Sequence, residues 1–172
     1  MRRGPPRAIV TSMSAGAPQK TNVVRLLESM GIPFEVAIYP VGEEHVDAVS
    51  VARELGVPAD IVWKTLVARD DRERALVFCI PGNLELDQKK AARTAGARSV
   101  RLIPLKELLP LTGYVRGGCS PIGMKKKLPT WLEEIGTTYE RIYVNAGARG
   151  MQVIVSPADL ARVTDAAWAD LV

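Results

Sequence analysis

Ile61-Val-Trp-Lys-Thr-Leu-Val-Ala68 and Ala75-Leu-Val-Phe-Cys-Ile80 are two apolar, β-branched runs set around the polar stretch Asp70-Asp-Arg-Glu-Arg74. That pattern predicts a β-hairpin inside the body of the fold. Lys64 interrupts the first run. A charged side chain in such a run must meet a carboxylate, reach solvent or point into a pocket. Snorkelling of its aliphatic stem is the structural alternative to a functional role.

Working outward, Thr21 is positioned to cap a helix whose apolar residues Val24, Leu27 and Met30 recur every three positions before Gly31. Phe34 to Tyr39 alternates as a strand that stops at Pro40, and a second helix runs from about Asp47 to Leu55, ended by Gly56 and Pro58. Beyond the hairpin, Pro81-Gly82 breaks the strand, and Asp87 caps a helix through Ala95. A short strand, Ser99 to Leu102, and a helix, Pro104 to Leu111, follow. Leu128 to Leu132, Arg141 to Asn145 and Met151 to Val155 read as strands, the last two joined by the turn Ala146-Gly-Ala-Arg-Gly150. Pro157 and the Asp165–Trp168 stretch mark two terminal helical turns. Strands interspersed with short helices give a mixed α/β fold without a regular βαβ repeat. Residues 1 to 18, rich in Pro, Gly, Ser and Arg, read as a disordered N-terminal extension, and 19 to 172 as a single domain.

A chain of 172 residues buries roughly 70% of its unfolded surface, enough for a core without staples. Two cysteines forty positions apart, Cys79 and Cys119, make neither a disulfide framework nor a zinc site. One histidine, His45, argues against a metal cluster or a Ser-His-Asp triad, so no metal or other cofactor is expected. No run reaches membrane-spanning length, and the expectation is a soluble cytoplasmic protein. The net charge of +4 is unevenly spread: residues 1 to 25 carry five bases and no acid, and 98 to 127 carry seven bases against Glu107 alone. A basic side on an otherwise acidic chain fits a polyanionic partner, although a solvated cationic face is the plainer reading of a lysine run.

The densest motif is Gly113-Tyr-Val-Arg-Gly-Gly-Cys-Ser-Pro-Ile-Gly-Met-Lys-Lys-Lys127. Four glycines in eleven residues let backbone N–H groups approach a ligand, and Lys125, Lys126 and Lys127 add positive charge for a phosphate. A turn between strands is the other use of such residues. Cys119 has no histidine near it in sequence to ionise it, and a Ser120-Pro121 pair is more often a turn than a nucleophile.

Val62-Trp-Lys-Thr-Leu66, the glycine loop with Gly117-Gly-Cys-Ser-Pro121, and Tyr143-Val-Asn-Ala-Gly-Ala-Arg-Gly-Met151 together resemble the YbaK/ProX family of aminoacyl-tRNA deacylases, the aminoacyl-tRNA editing domains, over nearly the whole chain. The resemblance implies a curved, barrel-like mixed sheet surrounded by helices. It also implies hydrolysis of a mischarged tRNA in trans, Cys-tRNA(Pro) first and Cys-tRNA(Cys) as a YbaK-type substrate. The family's chemistry is substrate-assisted: the cysteine thiol attacks its own ester, or a ribose hydroxyl does so in alanine-specific relatives. Carried onto this chain, Lys64 is the catalytic residue that stabilises the oxyanion. Tyr39, Thr65, Gly117, Gly118, Cys119, Ser120, Pro121, Asn145 and Gly147 bind the aminoacyl end, with Cys119 acting through its backbone N–H. Strand alternation would aim Thr65 away from Lys64. Lys125, Lys126, Lys127 and Arg149 meet the tRNA acceptor end, Ala148 standing where the family usually has lysine. Prolyl-tRNA synthetase is a candidate partner; DNA and membranes are not. The alternatives are alanyl- or seryl-tRNA deacylation and a non-catalytic module that binds tRNA or the synthetase.

Overall fold

The computed structural model describes residues 9–11, 20–42 and 47–172. His45 and most of the basic N-terminal stretch lie outside them. Among the described residues, nine strands form two open sheets. One has the order β1 (Ile9–Thr11), β2 (Glu35–Ile38), β8 (Met151–Val155), β7 (Ile142–Asn145), antiparallel throughout. The other has the order β5 (Val100–Leu102), β3 (Trp63–Asp70), β4 (Ala75–Pro81), β6 (Thr130–Glu133), β9 (Ala167–Ala169). Its β5-β3-β4 portion is antiparallel, and β6 and β9 add in parallel. The mixed α/β expectation holds, with the curved sheet realised as two open sheets rather than a closed barrel. They are joined where Val62 makes a parallel bridge to Tyr143.

Among the described residues, five eight-residue α-helices flank the sheets: α1 (Asn22–Ser29), α2 (Ala48–Leu55), α3 (Gln88–Ala95), α4 (Leu105–Thr112) and α5 (Pro157–Thr164). Four have the side-chain cap that their orphan N-terminal amides need. Thr21 accepts from Val24 N at 3.2 Å, Asp47 from Ser50 N at 2.9 Å, Asp87 from Lys89 N at 2.9 Å and Ser156 from Asp159 N at 3.1 Å. Alternation along β4 then divides the core. Val77 and Cys79 face a cluster that includes Val24 and Leu27 of α1, Val36 and Val153, whereas Leu76, Phe78 and Ile80 face Ala91 and Ala92 of α3. Phe78 stacks on Trp131 with centroids 5.4 Å apart.

Two segments differ from the sequence reading. Asp165 ends α5 in the left-handed conformation (φ 53°), and Ala167–Ala169 becomes β9, paired in parallel with β6, instead of a second helical turn. Ile9–Thr11, within the stretch read as disordered, forms the edge strand β1 against β2. Both are three-residue strands held by long-range pairing, which no local periodicity announces.

The hairpin turn is organised by Asp70, whose side chain is fully buried. Oδ1 accepts from Arg72 N and Arg74 N, each at 2.9 Å, and Oδ2 from Arg74 Nε at 2.6 Å. Burial alone would raise this carboxyl, but the hydrogen bonds from Arg74 and Arg72 outweigh it and hold the group below its ordinary value. A depressed folded-state value contributes stability above the unfolded-state value and loses it as pH falls through the folded-state value. Asp70→Asn is therefore expected to lower the melting temperature by several degrees at pH 7. The gap to wild type should close progressively below about pH 4, as read by thermal unfolding at a series of pH values; a gap that does not change with pH contradicts the assignment.

Candidate active site

After the Val62–Tyr143 bridge, β3 and β7 run on in the same direction without further pairing and belong to different sheets. Between them opens a cleft of about 110 Å3 lined by Val62, Trp63, Lys64 and Thr65 from one sheet, Asn145 and Gln152 from the other, Tyr39, Ala48 and Val51, and Gly117 and Cys119 of the glycine loop. Ligand pockets commonly measure roughly 300–1,000 Å3, so this one suits a small group such as the body of a small amino acid.

Lys64 is the one charged residue lining the cleft among the described residues. Its side chain is 22% exposed, and its Nζ lies 3.5 Å from Oε1 of Glu85, a carboxylate that is itself 93% exposed. An ion pair to such an open partner contributes little, so the ammonium is available to another oxygen. Thr65 and Lys64 face opposite sides of β3, opposite Cys79 and Ile80 respectively, yet both line the cleft.

The loop from α4 to β6 is tied down from within. Tyr114 Oη donates to Ile122 O at 2.6 Å, Asn22 Nδ2 to Gly123 O at 3.1 Å, and Lys125 N to Thr112 O at 2.9 Å. Asn145 latches it to the second sheet: Nδ2 donates to Gly117 O at 2.8 Å, while Oδ1 accepts from Gly147 N at 2.7 Å. Gly117 and Gly147 both need left-handed backbone, at φ 80° and 87°. A Cβ on Gly147 would also come within 3.0 Å of Tyr114 and 3.1 Å of Val23. Gly118 N–H is committed to Val115 O at 2.9 Å, whereas those of Gly117 and Cys119 have no intramolecular partner among the described residues.

Six of the ten residues assigned from sequence to catalysis and aminoacyl binding thus meet in one cleft: Lys64, Tyr39, Thr65, Gly117, Cys119 and Asn145. The other four support it from outside. Gly118 packs on the Ala148–Arg149 backbone, and Gly147 packs on Tyr114. Ser120 is fully buried with its Oγ accepting from Ile122 N at 3.2 Å. Pro121 lines a separate basic groove with Lys126, Lys127 and Arg162. Lys127 there pairs with Asp165 at 2.8 Å, which lowers the Asp165 carboxyl. Arg149 lies in another groove, with Lys20 and Arg25, its Nε donating to Arg116 O at 2.9 Å.

Burial pushes the Cys119 thiol up to about 12, so it is a neutral thiol at pH 7 and no thiolate nucleophile. Burial also raises the Tyr39 phenol, against smaller opposing effects of Gln152 and Gly150, and keeps it protonated. No Asp, Glu or His lines the cleft among the described residues, and the carboxylate paired with Lys64 is the exposed Glu85. Glu133, Glu134 and Asp170 come together elsewhere, but Glu133 accepts from Leu171 N at 2.6 Å and Asp170 is paired with Lys90 at 2.9 Å. These carboxylates secure the end of β6 and the terminal segment.

Sequence reasoning passes over Gln152. It lies opposite Asn145 in the β7–β8 ladder, in the middle of a strand whose five residues are all buried. A polar amide inside Met151-Gln-Val-Ile-Val155 is the same kind of interruption that marks Lys64, and carries the same signal.

Residues 43–163 match the model of the aminoacyl-tRNA editing domain. A protein of Enterococcus faecalis, provisionally named Cys-tRNA(Pro)/Cys-tRNA(Cys) deacylase EbsC, is 42% identical over 153 residues, covering 89% of this chain and 93% of its own. A proline–tRNA ligase of Shouchella clausii is 32% identical over 103 residues, 60% of this chain but 18% of the ligase. A crystal structure provisionally described as a trans-editing enzyme for prolyl tRNA synthetase superposes with a TM-score of 0.76 at 27% identity, covering 89% of this chain and 98% of that one. A cleft built on the Lys-Thr strand, the glycine loop and the Asn145 turn, within a fold and sequence shared with these proteins, makes this chain a member of the aminoacyl-tRNA editing domain family, the YbaK/ProX group that its motifs resemble.

Proposed function

We propose that this protein hydrolyses the ester of a mischarged tRNA in trans, with Cys-tRNA(Pro) the leading substrate. The observation that carries the reading is a single ammonium, Lys64, at a small cleft that holds neither an ionised nucleophile nor a base among the described residues. Such a site stabilises an oxyanion but leaves the attack to a group on the substrate. For a cysteinyl ester that group is the substrate thiol. It gives its proton to the departing ribose oxygen and forms a thiolactone, which water opens to free cysteine. The Lys64 ammonium and the free N–H groups of Gly117 and Cys119 receive the carbonyl oxygen, and Asn145 fixes the loop that presents them. The named activity of the Enterococcus relative and the description of the structural neighbour support the choice of substrate. The need for editing follows from pocket physics, since small apolar differences between amino acids are worth only ~1–3 kcal/mol to a synthetase. Two basic grooves, one with Lys126 and Lys127 and the other with Arg149, receive the acceptor-end phosphates together with the neighbouring Lys125. Prolyl-tRNA synthetase is the natural source of the substrate.

Release of labelled amino acid from tRNA(Pro) charged with cysteine, alanine or proline tests the reading. Wild type should discharge the cysteinyl form and spare prolyl-tRNA. Lys64→Ala should lose roughly 10²–10³-fold in rate, the cost of removing one oxyanion donor, while tRNA binding stays within a few-fold. Absence of release from every charged form, with tRNA still bound, sinks the hydrolase reading and leaves a binding module.

Replacing Cys119 by serine should cost less than about tenfold in rate, because its neutral thiol forms no bond to substrate. A loss near the ~10⁶-fold that follows removal of an enzymic nucleophile contradicts this. Replacing Lys125, Lys126 and Lys127 together by alanine should weaken tRNA binding. It should also flatten the slope of log affinity against log salt by roughly 0.7–0.9 for each phosphate no longer neutralised; an unchanged slope places the acceptor end elsewhere.

A further inference from the structure

Gln152 Oε1 is a buried side-chain oxygen with no hydrogen-bond partner among the described residues. Its residue is 4% exposed and lines the cleft, and its Nε2 donates to the Tyr39 hydroxyl at 3.2 Å. Leaving such an acceptor unpaired is costly, so a buried orphan beside a cleft points to a ligand that supplies the missing donor. Tyr39, 7% exposed, also lines the cleft. Its oxygen is used as the acceptor of the Gln152 amide, which leaves its own O–H to donate. The pair therefore offers one acceptor and one donor side by side. If the Gln152 amide is turned over, Tyr39 donates to its oxygen and the orphan becomes an N–H, which a thiol or hydroxyl answers as acceptor.

A thiol or hydroxyl is both donor and acceptor and satisfies the pair at once. An α-ammonium has donors only and would leave the Tyr39 O–H unanswered, and a methyl group satisfies neither. Depth agrees with this. Lys64 stands beside the exposed Glu85, at the open end where an ester tethered to tRNA must lie, whereas Tyr39 and Gln152 are the more deeply buried polar groups. We propose that Gln152 and Tyr39 form a side-chain recognition subsite that selects an amino acid bearing a thiol or hydroxyl, cysteine or serine, over alanine. The proposal rests on the reading of the cleft as an aminoacyl site and adds the residues that choose its occupant. A site built to hydrogen-bond a substrate group rejects the analogue that lacks it far better than an apolar pocket rejects an extra methylene.

The test uses two readouts on the full chain. Adenosine carrying cysteine, serine or alanine through a 3′-amide, which resists cleavage, is titrated for binding, and the three corresponding aminoacyl-tRNA(Pro) esters are assayed for release. Wild type should bind the cysteine and serine amides at least about tenfold more tightly than the alanine amide, with release fastest from the cysteinyl ester, which alone carries the attacking thiol. Gln152→Met, similar in size and apolar, should weaken binding of both amides by about that factor, slow release of cysteine, and leave binding of the alanine amide unchanged or improved. Tyr39→Phe should move the ratios in the same direction, and matching melting curves exclude misfolding. Equal losses for all three amino acids would overturn the proposal in favour of recognition of the shared α-amino group, and unchanged ratios would overturn it outright. Discrimination in binding without release by wild type sinks the hydrolase reading and keeps the subsite; release without discrimination does the reverse.

Discussion

The whole site depends on two neighbouring strands of different sheets, β3 and β7, that are joined by a single bridge at Val62 and Tyr143, after which neither offers the other a ladder. The glycine loop is drawn to this place by the Asn145 side chain, which donates to Gly117 O and accepts from Gly147 N. The cleft is what remains between them. Ligand sites in α/β folds gather where neighbouring strands diverge for the same reason, since side chains from two elements converge there without filling the space.

Charge is used sparingly around that space. Lys64 is the lone ion at the cleft among the described residues, and its partner Glu85 is so exposed that the pair itself contributes little. The neighbouring ionisable groups, Tyr39 and Cys119, are held neutral by burial. A neutral, partly dehydrated lining strengthens the interaction of Lys64 with a negatively charged oxygen, for which the exposed Glu85 is the competitor. Further cations lie in grooves outside the cleft, which suits the proposed long-range attraction to tRNA phosphates.

Much of this was legible from residues whose meaning is local. Thr21 and Asp87 cap the helices expected of them, the Asp70–Arg74 turn closes the expected hairpin, and Lys64 stood out as a charge in an apolar strand. What escaped is long-range. The Ala167–Ala169 strand exists because β6 has a free edge, and Ile9–Thr11 because β2 has one. Ser120 in the Ser-Pro pair turns inward to hold Ile122 N, which no spacing rule distinguishes from a ligand contact. Gln152 carried a readable signal in its apolar strand, but its meaning required Asn145, Tyr39 and the cleft to be in place first.

The most direct measurement is a crystal structure of the protein with cysteine joined to adenosine by a 3′-amide. The account predicts the aminoacyl carbonyl oxygen within about 3 Å of Lys64 Nζ, Glu85 displaced from that ammonium, and the cysteine body between β3 and the glycine loop. A ligand bound in either basic groove, with Lys64 still on Glu85, would contradict it.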